Sequence, residues 1–169
     1  RWINSEHKLN DANKILSQDG SAYYWSVSQN SENENNVTVS SNSSESVNRN
    51  KTKFSLNLQQ DGKIIGFDNH LIDSTIKKSL TLDEAKQASV NFIQKLRDDI
   101  YFEDDSLKST NNTTKSVFYF NGVETIDKGG RVDYNFTWQT NRQNELNYSL
   151  KTKLVGDKLS SFEIQVIIP

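Results

Sequence analysis

Residues 53–71, KFSLNLQQDGKIIGFDNHL, and residues 147–167, NYSLKTKLVGDKLSSFEIQVI, are nearly the same phrase written twice. Phe54, Ser55 and Leu56 match Tyr148, Ser149 and Leu150. Gly62, Lys63, Ile64 and Phe67 match Gly156, Lys158, Leu159 and Phe162, with one residue inserted at the turn. In the first copy Phe54, Leu56 and Leu58 alternate with polar residues, the period-2 mark of a half-buried strand. Asp-Gly then tolerates the positive φ of a hairpin turn. The spacing therefore predicts two hairpins, with turns at Gln60–Lys63 and Val155–Lys158. Leu56, Leu58, Ile64, Leu150, Leu154 and Leu159 are candidates for the core, with Phe54, Phe67, Tyr148 and Phe162 packed in or beside it.

A helix is expected before each copy. Leu9, Ala12, Ile15 and Leu16 share a helical face between Ser5 and Gly20, and Gly20 sits where a C-cap would. The clearer signal is TLDE at Thr81–Glu84, which places an N-cap hydroxyl and an N3 carboxylate on orphan amides. Leu82, Ala85, Ser89, Phe92, Ile93 and Leu96 then line one face as far as Arg97. AYYWSVSQ at 22–29 is β-prone, and Val37–Val39 could form a strand within 28–50, where 14 of 23 residues are Asn or Ser. In the second half SVFYF, RVDYNFTWQ, YSLKTKLV and LSSFEIQVI read as four strands, with Asp127–Gly130 as the turn between the first two. The expected fold is α+β: two tandem helix-plus-antiparallel-sheet units, residues 1–76 and 77–169, with the break near Ser74–Ser79. Two unrelated hairpins with similar turn chemistry would give the same phrase.

Leu, Ile, Val and Phe make up about 25% of the chain, enough for a folded core, while Asn and Ser supply about a quarter and make the surface polar. The net charge of −2 with no basic stripe argues against nucleic acid and against a polybasic membrane patch. The absence of Cys excludes disulfides, zinc-thiolate sites and thiol catalysis. It also argues against a small eukaryotic secreted module. There is no apolar run of ~18 residues. A chain without Met that opens RWINSEHK is expected to be a piece of a longer protein.

Chemistry-bearing residues are sparse. His7 and His70 are the two histidines, and neither has a second His one turn away. Asp98, Asp99 and Glu103–Asp105 form an acidic run without the glycine a calcium loop needs. Asp61 and Asp157 read as turn residues. No nucleophile elbow or phosphate loop occurs. No catalytic, cofactor-binding or metal-ligating residue is therefore nominated, and no cofactor. Several sequons, among them Asn36, Asn42, Asn50, Asn112 and Asn135, are expected by chance in such a composition.

RVDYNFTWQ followed by LNYSLKTKLVGDKLSSFEIQVIIP resembles the extracytoplasmic N-terminal region of bacterial membrane proteins of the CAAX-protease and bacteriocin-processing (CPBP) type. YYWSVSQ, KFSLNLQQDGKIIGFDNHL and LTLDEAKQASVNFIQKL are similar to the preceding half of such regions, and the helix-then-strands order is similar to PepSY-like (cystatin-like) repeats. Those proteases carry a Glu-Glu-x-x-x-Arg motif and membrane-embedded histidines, and this sequence has no Glu-Glu pair. The resemblance implies a non-catalytic, extracytoplasmic sensory, binding or regulatory domain of a Gram-positive membrane protein, with the metallopeptidase centre elsewhere in the parent. Its partner would be a peptide, a wall component or its own membrane domain. A free-standing secreted peptide- or wall-binding protein is the alternative.

Overall fold

A computed structural model describes residues 24–30, 37–41, 52–71, 79–103, 116–141 and 147–167. The chain divides into two compact units, one of Arg1–His70 with Val166–Pro169 and one of Leu71–Gln165. The helix expected between Ser5 and Gly20 lies outside the described residues.

The first unit contains β1 (Tyr24–Asn30), β2 (Val37–Ser41), β3 (Thr52–Gln59) and β4 (Ile64–Asn69). They lie side by side in the order β2-β1-β3-β4, every neighbour antiparallel. The first quoted phrase is the β3–β4 hairpin. Its turn closes through Gln59 N donating to Lys63 O (2.8 Å) and Gly62 N to Gln59 O (3.0 Å). Gly62 stands at φ 84, and Asp61 Oδ1 accepts the Lys63 amide at 3.1 Å. Such an Asx bond is why Asp suits the position. Leu56 pairs with Phe67, and the Phe54 and Phe67 rings stack at 6.3 Å between centroids.

The described residues of the second unit form a helix, α1 (Leu82–Leu96), and strands β5 (Ile100–Glu103), β6 (Ser116–Asp127), β7 (Val132–Gln139), β8 (Asn147–Val155) and β9 (Lys158–Ile167). The strand order is β9-β8-β7-β6-β5. Antiparallel pairing joins β6 to β7 and β7 to β8, whereas β5 runs parallel to β6. Asp127–Gly130 makes the β6–β7 turn, with Gly129 at φ 73 and its amide held by Asp127 Oδ1 at 2.7 Å. The second quoted phrase is the β8–β9 hairpin, turning at Gly156 (φ 61).

The expectation of two tandem helix-plus-sheet units is corrected: the fold is mostly β, with a single helix among the described residues. What recurs is the hairpin and one further strand, β4-β3-β1 and β9-β8-β7. The fourth strand breaks the likeness. In the first unit it is β2, which follows β1 in sequence. In the second it is β6, which precedes β7 and carries the parallel β5 outside it. Turn chemistry dictates a hairpin locally, but which strand comes to lie beside it is settled by long-range packing. The strand expected at SVFYF also runs on to Asp127, its polar second half held by pairing with β7.

Helix α1 starts with the capping box expected of it. Thr81 Oγ1 accepts the Glu84 amide at 3.4 Å, and Glu84 Oε2 accepts the Thr81 amide at 2.9 Å. The face turned to the sheet is Ala85, Ser89 and Ile93, four residues apart. Three residues expected on that face are not buried: Leu82 is 44% exposed, Phe92 is 37% exposed and Leu96 is half-buried. Successive residues are rotated by about 100°, so Phe92 and Ile93 cannot both point down the stripe. The small Ala85 and Ser89 admit the sheet closely, and Ser89 meets Thr152 of β8 in a buried hydroxyl pair at 3.3 Å. Thr81→Ala is expected to cost about 1 kcal/mol, and Phe92→Ala far less than the several kcal/mol of a fully buried Phe. Urea titration of both variants checks this.

The core beneath the helix is aromatic. Tyr134, Phe136 and Trp138 share one face of β7, with centroids 5.8 and 5.6 Å apart. Across β8 they pair with Leu154, Thr152 and Leu150. Leu150, Leu154 and Phe162 are buried as expected, but Leu56, Leu58, Ile64, Leu159, Phe54, Phe67 and Tyr148 are only half-buried.

Candidate binding face

A pleated strand sends alternate side chains to opposite faces. With Tyr134, Phe136 and Trp138 turned to the core, the other face of the sheet takes its residues in register across β6, β7 and β8. One row is Tyr119, Gln139 and Ser149; the next is Gly122, Thr137 and Lys151; the third is Glu124, Asn135 and Lys153. Glu124, Lys151 and Lys153 are exposed, and Tyr119, Asn135, Thr137 and Gln139 are half-buried. Asn135 Nδ2 donates to Glu124 Oε2 at 2.9 Å, so the third row is a cross-strand ladder of acid, amide and amine. Both charged ends of that ladder reach solvent. Such a row can both donate hydrogen bonds to and accept them from a polar ligand.

At the turn end the same face closes over a buried tie. Asp133 is 3% exposed. Its Oδ1 accepts from Arg131 Nε at 2.8 Å and from the Gly156 amide at 2.9 Å, and its Oδ2 accepts from Arg131 Nη2 at 3.3 Å. Residues two apart on an extended chain share a side, which brings Arg131 onto Asp133. The carboxylate thus locks the β8–β9 turn to β7, and no buried side-chain polar atom among the described residues lacks a partner. Nearby, the Val132 amide donates to Ser79 Oγ at 2.9 Å and Tyr134 Oη to Leu80 O at 2.9 Å, fixing the lead-in to α1. Arg131, Asp133 and Tyr134 of the RVDYNFTWQ motif therefore have structural work to do. The sequence reading did not single out Asp133; an Asp between apolar strand residues, with Arg two before it, was the available signal.

The other residues weighed from sequence are dispersed. His70 is exposed just beyond β4, and His7 lies outside the described residues. Asp99 is held by Arg97 in two bonds of 2.7 and 2.8 Å, and Asp98 is exposed. Glu103 ends β5, while Asp104 and Asp105 lie outside the described residues. Asp61 pairs with Lys63 at 3.2 Å, and Asp157 is exposed in the β8–β9 turn. No group of three or more His, Cys, Asp or Glu that could hold a metal ion occurs among the described residues. Of these five sequon asparagines, Asn135 sits within the sheet, and Asn36, Asn42, Asn50 and Asn112 lie outside the described residues. Among the described residues no helix is long and apolar enough to cross a membrane.

No family model, no curated protein and no solved structure matches the chain.

Proposed function

We propose that this chain is a non-catalytic binding or regulatory module that takes its ligand on the polar face of the second unit's sheet. The observation that carries the reading is the register itself. Glu124, Asn135, Thr137, Gln139, Lys151 and Lys153 stand on paired strands, solvent-facing to differing degrees, over a packed aromatic core. Rigid strands present polar groups with less ordering cost than a loop would. The carboxylates of Asp61, Asp99 and Asp133 are meanwhile committed to structural bonds. An extracytoplasmic setting in a Gram-positive membrane protein, with any CAAX-type catalytic centre outside this chain, rests on the sequence resemblance alone. A free-standing secreted peptide- or wall-binding protein would use the same face.

Titration calorimetry against a peptide panel and soluble cell-wall glycan fragments tests the proposal. Lys151→Glu with Lys153→Glu should weaken whichever ligand binds by about tenfold, or about 1.4 kcal/mol. Exposed substitutions of this kind should move stability by no more than about 0.5 kcal/mol. Unchanged affinity in the double variant, or no binding across the panel, would sink this reading.

A further inference from the structure

Asn121–Gly122 is the one Asn-Gly pair in the chain. It falls where β6 slips in register against β7: Phe120 pairs with Trp138 and Gly122 with Thr137, so Asn121 is the extra residue. A bulge leaves its extra residue unpaired and disrupts the ladder locally. Asn121 is also exposed. We propose that Asn121 is a self-modifying site, deamidating spontaneously through attack by the backbone nitrogen of Gly122.

The Gly122 nitrogen gives up its proton to water or hydroxide and bonds to Cγ of Asn121. The leaving amide nitrogen takes a proton from water, the Cγ–NH2 bond breaks and ammonia departs, leaving a succinimide closed between the two residues. Water then opens the ring at one carbonyl or the other. One opening yields aspartate; the other yields isoaspartate, in which the main chain runs through the β-carbon. No electrons change hands. Glycine favours ring closure because it has no Cβ to shield the attacking nitrogen and the least restricted backbone. There is open space beside Gly122, where an added Cβ would meet nothing within 4 Å. Asp61–Gly62 offers the same glycine, but its carboxylate is a poorer electrophile and is engaged by the Lys63 amide and ammonium. Conversion at Asn121 adds a negative charge to a chain of formal net charge −2. The isoaspartate product also lengthens β6 by one backbone atom at the bulge.

The test is incubation of the full chain at mildly alkaline pH and 37 °C, roughly physiological warmth, followed by proteolysis and peptide mapping by mass spectrometry. Asn121 should gain the mass difference between –NH2 and –OH ahead of every other asparagine. The intact chain should move to a more acidic position on ion exchange, alongside an Asn121→Asp reference. Gly122→Ala, whose added methyl has open space, should slow the conversion several-fold. An Asn121 amide that survives while other asparagines convert would overturn the proposal, as would equal conversion in Gly122→Ala.

Discussion

Trp138→Ala should be the most damaging single truncation in the second unit, at about 3–5 kcal/mol. Trp138 is 1% exposed and meets three rings: Phe102 edge-on at 5.2 Å, Phe136 at 5.6 Å and Phe120 edge-on at 6.4 Å. Removing the indole strips burial from all three and leaves a void that β7, paired on both sides, cannot collapse to fill. The partners differ in what else supports them. Phe102 sits on the four-residue β5, so detachment of β5 should accompany the loss. Phe120 keeps cover from Lys86, whose Nζ lies 4.2 Å from the ring centroid. Denaturant unfolding measures the energy, and amide exchange at Ile100–Glu103 reports the detachment. A loss below about 1 kcal/mol, the centre of ordinary substitutions, would contradict the packing described.

Asp133→Ala should cost about 3 kcal/mol, because it takes one carboxylate out of a buried pair and removes an acceptor shared by the Arg131 guanidinium and the Gly156 amide. The side chains of Arg131 and Asp133 are 17% and 4% exposed, so Arg131 recovers only part of its hydration. The Gly156 amide loses its acceptor as well, a further desolvation cost. Asp133→Asn separates the two contributions: its carbonyl oxygen can still accept from Gly156, while the charge pairing is lost. Chemical denaturation should therefore rank wild type above Asn and Asn above Ala. Equal stability of Ala and wild type would show that the tie contributes nothing to the fold.

The parts legible in the sequence are those decided within a few residues. Period-2 alternation with Gly62 and Gly156 at positive φ specifies both hairpins, and Thr81 with Glu84 specifies the start of α1. The parts that were not legible depend on distant partners. Phe92 and Ile93 are equivalent apolar letters, and the choice between them is made by the Ala85–Ser89 stripe docking on β8. Ile100–Glu103 is four residues beside an acidic run, and only parallel pairing with β6 makes it a strand. The doubled phrase suggested doubled units because nothing in either hairpin records that its fourth neighbour is β2 in one case and β6 in the other. For the proposed binding face, alternation in β7 and β8 marks the polar half of each strand. Which polar residues form rows required the register, and the register slips at Asn121.

The anchors from Ser79 and Leu80 to Val132 and Tyr134 join positions 53 and 54 residues apart. On a ribosome, the residues of α1 emerge while the strand that holds the helix's entrance is still unmade. Until β7 and β8 follow, Ile93 has no sheet to cover it, so this helix spends its first moments as an amphipathic segment in search of a surface. Contacts closed over such separations slow folding relative to local ones. Ser79→Ala should therefore leave the helix's own cap intact yet remove one of the bonds that tell the late-arriving sheet where the helix begins.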